Sequence, residues 1–405
     1  MTELLSLPKI HSPIAHGTLA YRRMALALLM AGFSTFGLMY DVQPLLPLFA
    51  RTFGVSAATA SLAVSFSTGA MALMFIPAGV LSDRVGRRPV MAASLFGSAL
   101  LTILSATLPG WPALLALRAL IGIALAGVPS VAMAYVSEEV APASVGAAMG
   151  LYIAGSAIGG MTGRLGVTLI SQFVGWREAI ATMGAAGLLA AFAFARFAPP
   201  SRAFVAVRHD ALSLLAATRR LLSDGALPWL YAEGFLLMGA FVTVYNYAGF
   251  RLEAPPYNLA QAAVGSIFLL YLIGSFSSSW FGGLAGRVGR NKVFWIPILL
   301  LLPGIGLTAM RPLWTIILGI AVITGAFFAA HSTASGWVGR RVTRDRAQAS
   351  ALYLLFYYLG SSLLGSAGGI AWNLAGWRGV ASYSTLLVLV ALAIAIGLIR
   401  SGDRP

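Results

Sequence analysis

Long apolar runs alternate along the chain with short connections that hold most of its charged residues. A helix needs about 20 apolar residues to cross the hydrocarbon core of a membrane, and twelve runs approach or exceed that length. The runs cover residues 24–49, 57–81, 89–109, 113–136, 147–170 and 177–196, and then 228–250, 261–284, 293–310, 313–337, 348–373 and 378–400. The pattern predicts an all-α integral membrane protein with twelve transmembrane helices.

Two short sequences recur half a chain apart. The segment Gly79–Pro89 returns in modified form at Gly282–Lys292, and Gly175-Trp176-Arg177 returns as Gly376-Trp377-Arg378. An offset of half the chain indicates two like halves. We therefore expect two pseudo-symmetric six-helix bundles. Their predicted limits are 24–197 and 228–400, with tails at 1–23 and 401–405 and a connector at 198–227.

The connector is polar and basic. It opens with Pro199-Pro200 and carries Arg202, Arg208, Arg219 and Arg220, while leucines recur at helical spacing between residues 212 and 222. An apolar stripe beside arginines is typical of a helix that lies in the membrane interface. The sequence predicts a cytoplasmic linker with an interfacial helix, and a disordered linker is the alternative.

Composition and charge support a membrane protein and orient it. Hydrophobic residues make up 59% of the chain and charged residues 10%, against about a quarter charged in soluble domains. With the N-terminus inside, the cytoplasmic connections hold most of the 27 Lys and Arg residues. The outer connections hold only Arg51, Arg177, Arg251, Arg311 and Arg378. The positive-inside rule thus predicts two cytoplasmic termini, and topology explains the net charge of +15 without a nucleic-acid partner.

One connection is anomalous, because Ser137-Glu138-Glu139 is expected on the cytoplasmic side yet carries only acidic residues. Acidic residues weigh little in the positive-inside rule. The predicted orientation therefore stands, and we expect these carboxylates to pair with a basic residue nearby.

Several kinds of chemistry are missing from the sequence. The chain has no cysteine and four scattered histidines, so neither a disulfide nor a thiolate metal site is expected. It shows neither a nucleophile with its base nor an ATP-binding phosphate loop. We expect a protein that is not an enzyme, has no cofactor or metal, acts as a monomer, and draws its energy from a gradient.

The motifs of this sequence resemble those of the major facilitator superfamily of secondary transporters. The first copy of the repeated segment has the family's cytoplasmic gate motif, at Gly79, Leu81, Asp83, Arg84, Gly86, Arg87 and Arg88. The second copy keeps Arg287, Gly289 and Arg290 but has Gly286 in place of the acid. A second family motif matches at Leu114, Arg118 and Gly122, with Ile121 in place of its glutamine. The antiporter motif matches at Gly150, Gly155, Gly159 and Gly160, with Ser156 in place of its proline.

At finer grain the chain is similar to the YnfM branch of that superfamily, usually grouped with acriflavine-sensitivity or efflux transporters. The similar segments are 40–44, 159–165, 232–239 and 329–332. The resemblance implies a bacterial inner-membrane protein whose two bundles rock about a midplane site, with proton-coupled efflux of a small amphipathic organic compound or drug. Two alternatives stay open: sugar or metabolite transport without proton coupling, and a transporter-like receptor without flux.

The cytoplasmic gate motif has a physical interpretation of its own. Asp83 ends one helix and can accept hydrogen bonds from a neighbouring helix N-terminus or an arginine. Gly86 permits a tight turn, and Arg84, Arg87 and Arg88 suit the headgroup layer. We expect a latch that closes the inner gate in one state. For Arg87 and Arg88 the alternative is that they only anchor the topology.

Ionisable residues inside membrane spans are costly and are therefore candidates for function. Five are predicted proton-coupling residues: Asp41, Arg118, Arg164, Glu233 and His331. At about 1.5 Å rise per residue, the first three fall in the outer half of the membrane and the last two in the inner half. The repeat thus gives each bundle one acid and one basic partner.

A proton could be carried if the contact of Asp41 with Arg118 or Arg164 opens between states, because a carboxylate holds its charge beside an arginine and loses it more readily in an apolar cavity. The alternative for Asp41 and Arg164 is a permanent packing role. His331 has the same alternative, and Glu233 has that of an inner-gate residue.

Two further groups of residues are predicted to shape the central cavity. Polar and aromatic side chains form the predicted substrate wall, and they are Gln43, Tyr245, Asn246, Tyr247, Tyr353, Phe356 and Tyr357. Such a wall suits flat or cationic organic molecules, and the alternative is that the aromatic residues face lipid. The glycine motif at 150–160 predicts close packing of the fifth span, with Gly360, Gly365, Gly368 and Gly369 as the counterpart in the eleventh.

Overall fold

The computed structural model describes residues 12–207 and 211–399. The predicted N-terminal tail up to residue 11, Arg208 of the linker and the tail at 401–405 lie outside the described residues. Within the described ranges, ten helices are long and apolar enough to cross a membrane. The longest of these helices, Arg346–Leu398, is broken at Ala375 and Gly376 and therefore counts as two spans. The two shorter helices Trp111–Leu125 and Ala132–Glu139 together form one more. The all-α prediction with twelve spans is therefore confirmed.

The first bundle contains spans 1 to 6. Span 1 is Leu19–Phe53, built from the helices Leu19–Tyr40 and Leu46–Phe53 around a 3₁₀ turn at Gln43–Leu45. Span 2 is Ala57–Val85, span 3 is Arg87–Ser105, span 5 is Pro142–Val174 and span 6 is Trp176–Phe197. Span 4 consists of Trp111–Leu125 and Ala132–Glu139. The linker that follows contains a helix at Ala211–Leu222.

The second bundle contains spans 7 to 12. Span 7 is Leu227–Glu253, span 8 is Gln261–Val288 with a 3₁₀ turn at Ser266–Leu270, span 9 is Arg290–Ala309 and span 10 is Leu313–Arg341. Spans 11 and 12 together cover Arg346–Leu398. A π-helical turn interrupts span 11 at Gly360–Leu364, and non-helical backbone at Ala375 and Gly376 divides span 11 from span 12.

Glycines end equivalent spans in the two halves. Gly86 closes span 2 with φ of 108°, and Gly289 closes span 8 with φ of 106°. This left-handed backbone is open to glycine at little cost, and it lets spans 3 and 9 begin at the next residue. Gly376 has φ of 56° at the break before span 12, and Gly175 takes the same place before span 6 in the first half.

The fourth span differs from its prediction. The apolar run predicts one helix over 113–136, whereas the structure has turns at residues 126–131 between two helices. Gly127 and Pro129 lie in that break. Proline has no N–H for the helical ladder and clashes with the preceding turn. Span 1 also differs, since it begins at Leu19 and ends at Phe53 rather than covering 24–49.

The same pairs of spans pack in both bundles. Span 1 lies against span 5 and span 7 against span 11, while span 2 packs on span 4 and span 8 on span 10. Between the bundles, the contacts join span 1 to span 7, span 2 to span 11 and span 5 to span 8. The interface is therefore also arranged with pseudo-two-fold symmetry.

We call the end of the molecule that holds Arg84, Arg87 and Arg88 the basic end. Both termini of the described chain lie there. Ile14 pairs through its backbone with Val140 in the connection between spans 4 and 5, and the Ile399 carbonyl accepts a hydrogen bond from Asn291 at the start of span 9. An even number of spans gives this arrangement.

Candidate functional site

Asp41 and Arg118 form an ion pair in the core of the first bundle. Arg118 Nη1 lies 2.9 Å from Asp41 Oδ1, and neither side chain is exposed. The remaining donors of Arg118 reach the carbonyls of Leu38 (3.2 Å), Met39 (2.6 Å) and Ala63 (3.1 Å). The guanidinium thus joins spans 1, 2 and 4 of one bundle. Asp41 Oδ2 has no hydrogen-bond partner in the described chain.

Arg164 does not pair with Asp41, and its contacts belong to both bundles. Its Nε donates to Gln43 Oε1 at 2.7 Å and its Nη1 to the Gly160 carbonyl at 2.7 Å. The guanidinium lies over the ring of Tyr40, 4.1 Å from its centroid, and close to two rings of span 8, those of Phe268 and Tyr271, at 5.0 and 4.9 Å. No carboxylate of the described residues forms a salt bridge with it, so this buried cation is held by neutral groups.

Gln43 links that cation to the second bundle. Its side-chain Nε2 donates to Asn246 Oδ1 at 2.8 Å, while its Oε1 accepts from Arg164. Asn246 Nδ2 is buried without a partner among the described residues. Arg164, Gln43 and Asn246 therefore form a polar chain across the interface, with one unused donor at its end.

Aromatic side chains pack beside this polar chain. Phe241 stacks on Phe327 with ring centroids 3.9 Å apart, and Tyr245 stacks on Phe268 at 5.4 Å. Tyr245 also hydrogen-bonds Thr324 at 2.7 Å. The sequence pointed to Tyr245 but missed the rings around it, which are Phe241, Phe268 and Tyr271, and the rings packed on Phe241, which are Phe327 and Phe328.

The other residues of the predicted substrate wall are distributed over two places. Tyr247 lies on the contact between spans 7 and 11 and stacks on Trp372 at 6.1 Å. Phe356 stacks on Tyr231 at 5.8 Å, whereas Tyr357 lies beside His331. Tyr245, Tyr247 and Tyr353 are each 2% exposed or less, which excludes lipid as the environment of these three tyrosines.

Tyr353 contacts His331 and the turn of span 7 that carries Glu233. His331 Nδ1 lies 2.9 Å from the Tyr353 hydroxyl. The ring of Tyr353 also packs on Gly234, the neighbour of Glu233 in span 7, where an added Cβ would lie 3.0 Å from the ring. Glu233 is fully buried, and neither of its carboxyl oxygens has a hydrogen-bond partner in the described chain.

The gate motif forms a network around Arg87. This side chain pairs with Asp83 and with Glu138, whose Oε1 lies 2.7 Å from Nη2. Its Nη1 also donates to Ser82 Oγ at 2.8 Å. The Asp83 carbonyl in turn accepts from the Val207 N–H of the linker at 2.8 Å. Arg87 therefore joins spans 2, 3 and 4. Glu138 of the acidic connection pairs with this basic residue, as expected.

The remaining residues of the gate motif are less enclosed. Leu81 is 52% exposed, Arg84 is exposed, and Gly79 has open space around it. Arg88 Nη2 donates to the Ala195 carbonyl at the end of span 6 at 2.7 Å. In the second copy, Arg290 lies beside Gly336 of span 10.

Glycines of span 5 allow it to touch span 1. A Cβ on Gly155 would collide with the Leu29 carbonyl, and one on Gly159 with the Phe33 carbonyl. Gly160 instead faces the Arg164 side chain, and Gly150 has open space. The second bundle repeats the contact, since a Cβ on Gly360 would collide with the Phe235 carbonyl.

Several contacts join the two bundles at the end opposite to the basic end. Arg51 Nη1 pairs with Glu253 Oε2 at 2.8 Å, which joins spans 1 and 7. Ser65 and Ser366 hydrogen-bond at 2.5 Å between spans 2 and 11, and Gly265 packs against Thr168 between spans 8 and 5. We call Arg164 and the rings of Tyr40, Phe268 and Tyr271 around it the aromatic cage. With this cage, these contacts join the two bundles on that side of the molecule.

Comparisons with known proteins agree with this architecture. The sequence pattern of the Major Facilitator Superfamily matches residues 24–260. The inner membrane transport protein YnfM of Escherichia coli (strain K12) is 42% identical over 399 residues, which cover 98% of this chain and 96% of that protein. The MFS-type transporter YybF of Bacillus subtilis (strain 168) is 42% identical over 97% of both chains.

Solved structures share the fold at low sequence identity. A bacterial homologue of the human lysosomal transporter Spinster, in an inward-facing and unoccupied conformation, superposes with a TM-score of 0.79 at 16% identity and covers 95% of this chain and 98% of its own. The nucleoside transporter NupG superposes with a TM-score of 0.72 at 18% identity over 92% of this chain and 98% of its own. The chain belongs to the major facilitator superfamily, as a multi-pass membrane transporter of the YnfM-like branch with an alternating-access fold.

Proposed function

We propose that this transporter is a proton-coupled antiporter that exports a small amphipathic organic compound, with its basic end in the cytoplasm. The observation that carries the proposal is the buried, unpartnered carboxyl of Glu233. An ionised carboxylate without a partner is expensive inside a membrane protein. Glu233 is therefore neutral in this state and can release its proton when the basic end of span 7 opens.

Tyr353 and His331 support a path for that proton. The hydroxyl of Tyr353 is within hydrogen-bond distance of His331, and its ring lies against the turn of span 7 that carries Glu233. A hydroxyl can accept one proton while donating another, and a neutral imidazole has both a donor and an acceptor. We infer that these three residues supply the acid, the base and an intervening hydroxyl of a proton path in the second bundle.

Of the two buried acids, Asp41 is a weaker candidate for the proton carrier than Glu233. All contacts of its partner Arg118 belong to spans 1, 2 and 4, which lie in one bundle. When two bundles rock as rigid bodies, contacts within one bundle are preserved. We therefore infer that the Asp41–Arg118 ion pair stabilises the first bundle and that Glu233 carries the proton.

An amphipathic substrate fits the surroundings of Arg164. The rings of Phe241, Tyr245 and Phe327 offer an apolar surface, and the amide of Asn246 has an unused donor beside them. Ligand sites commonly combine an apolar wall with a few polar groups. The chloramphenicol resistance protein of Streptomyces lividans, 26% identical over 304 residues, supports export of drug-like compounds.

A second candidate is transport of a sugar or metabolite without proton coupling. The amide pair of Gln43 and Asn246 favours it, because amides recognise hydroxyl groups through both donors and acceptors. This candidate requires that neutralising Glu233 leaves the transport cycle unchanged.

The test uses inside-out vesicles with an imposed pH gradient, screened with lipophilic cations, dyes and small sugars. We expect a transported compound to discharge the gradient in the wild type and in Glu178→Gln, which changes an exposed acid at the start of span 6. Glu233→Gln should abolish the proton signal and retain counterflow of the labelled compound. Counterflow exchanges labelled for unlabelled substrate, so it requires no net movement of protons.

Each other outcome has a definite meaning. A proton signal that survives Glu233→Gln removes Glu233 from the coupling path. Counterflow in the wild type without any proton signal supports the uncoupled transporter. Saturable binding without counterflow supports a receptor. The proposed orientation is tested by labelling a cysteine placed at Ser12, which a membrane-impermeant thiol reagent should reach in inside-out vesicles only.

A further inference from the structure

A cavity of about 350 Å³ opens at the basic end of the first bundle, away from the transport path. Its walls come from the N-terminal segment, span 1, the start of span 3, the end of span 4, the end of span 6 and the linker. Four arginines line it: Arg23, Arg88, Arg196 and Arg202. Glu139 is the single acidic residue in the lining. The cavity therefore carries an excess of positive charge.

Among the described residues, the carboxylate of Glu139 forms no salt bridge with these arginines. It is 5% exposed and its Oε1 accepts from the Ala203 N–H at 2.9 Å. No salt bridge of the described residues includes any of the four arginines. Other arginines at this end are paired, Arg220 with Asp345 at 2.8 Å and Arg87 with Glu138. The lining thus keeps a net positive charge, with four arginines against one carboxylate.

The cavity is held in shape by backbone contacts. Ile14 donates to the Glu139 carbonyl at 2.8 Å and accepts from the Ala141 N–H at 3.0 Å, which fixes the N-terminal segment along one wall. On the other wall, the Tyr135 hydroxyl donates to the Pro199 carbonyl at the start of the linker. These contacts fix the N-terminal segment and the start of the linker around the arginines, which come from spans 1, 3 and 6 and from the linker.

The structure assigns this cavity to the phosphate headgroup of an anionic phospholipid. Guanidinium groups bind phosphate oxygens through paired N–H donors, and basic pockets between the ends of membrane helices suit anionic headgroups. Apolar side chains continue from the cavity toward the centre of the membrane. Leu26 is 40% exposed one turn beyond Arg23, and Phe192 is 58% exposed one turn before Arg196. Acyl chains can lie along these faces, which a soluble phosphate would not use.

The test measures thermal unfolding of the purified full-length chain in a neutral detergent, through its nine tryptophans. Phosphatidylglycerol, phosphatidylcholine, glycerol 3-phosphate and inorganic phosphate are added in separate samples. A ligand that binds the folded state raises the unfolding temperature. We expect phosphatidylglycerol to raise it by several degrees more than phosphatidylcholine, and the two soluble phosphates to have little effect.

Two double variants with the same loss of charge locate the effect. Arg23→Gln with Arg202→Gln removes two cations of the cavity and should cancel most of the gain from phosphatidylglycerol. Arg22→Gln with Arg219→Gln changes two exposed arginines outside the lining and should keep the gain. Native mass spectrometry gives a second measurement, because the cavity variant should retain fewer phosphatidylglycerol molecules than the control.

Two results would overturn the assignment. Equal gains from phosphatidylglycerol in both double variants would show that the lipid does not bind in the cavity. A gain from glycerol 3-phosphate as large as that from phosphatidylglycerol would show that the site takes a soluble phosphate instead. The single variant Arg196→Gln repeats the comparison if the double variant does not fold.

Discussion

Arg118 and Asp41 are joined at 2.9 Å in a pair whose two side chains are completely buried. Removing one member of such a pair leaves an uncompensated charge and costs roughly 3–5 kcal/mol, whereas replacing both by apolar groups is often close to neutral. We therefore predict that Asp41→Leu and Arg118→Met each destabilise the protein by that amount. The double variant should lose much less than the sum of the two.

Thermal unfolding of the four proteins in detergent measures this coupling. A transporter whose double variant still exchanges labelled substrate would confirm that the pair is structural. Losses that simply add would show instead that the two side chains act independently, against the geometry of the pair.

Much of the fold could be predicted because the number of spans depends on the length of the apolar runs and the two halves on a repeated segment. A run of about 20 apolar residues must span the membrane, and the repeated segment at Gly79 and Gly282 sets the two halves. The acidic connection also led to an expectation that holds for Glu138, which pairs with Arg87, whereas Glu139 accepts from the Ala203 N–H.

The break in span 4 and the surroundings of Arg164 were beyond the sequence for different reasons. Gly127 and Pro129 do mark the break, but both residues are common inside membrane helices. The spans are apolar on all sides, so periodicity does not tell which side faces the other bundle. The contact of Arg164 with Phe268 and Tyr271 depends on the placement of span 8 against span 5, which is a property of the assembled bundles.

Gly159 and Gly150 of the antiporter motif have different surroundings, so they form a matched pair for testing how closely spans 1 and 5 pack. Gly159→Ala places a methyl group against the Phe33 carbonyl of span 1, while Gly150→Ala extends into open space. Overpacking costs about 1–3 kcal/mol, and alanine in an open helical position is more stable than glycine by roughly 0.5–1 kcal/mol. We expect a lower unfolding temperature for Gly159→Ala and an equal or higher one for Gly150→Ala. Similar losses in both would argue against close packing of spans 1 and 5.

Asp224 in the linker gives a prediction about pH. Partial burial alone would raise the pKa of its carboxyl, but hydrogen bonds from Arg341 Nε at 2.6 Å and from the N–H groups of Ala226 and Leu227 outweigh burial, so the pKa lies below the ordinary value of 3.8. A lowered pKa in the folded state adds stability that is fully present above the ordinary value. That stability is lost as the pH falls through the lowered pKa.

The corresponding experiment compares the wild type with Asp224→Asn between pH 6 and pH 3. The variant should be less stable at pH 6 by roughly 1 kcal/mol or less, as is usual for partly exposed pairs, and the difference should shrink toward pH 3. Glu178→Gln serves as the control at an exposed acid. A difference that stays constant over this range would mean that the charge of Asp224 contributes nothing to folding.

Arg164 provides the sharpest test of how the end opposite to the basic end closes. Lysine keeps the positive charge but has neither the planar fork that reaches Gln43 and the Gly160 carbonyl nor the flat face that lies on Tyr40 and Tyr271. We predict that Arg164→Lys lowers counterflow of a transported compound about tenfold or more, because the cage that seals the two bundles is lost. Arg311→Lys changes an exposed arginine at the same end and should leave counterflow unchanged. Full activity of Arg164→Lys would show that only its charge matters, and the aromatic cage would then have no part in closing the transporter.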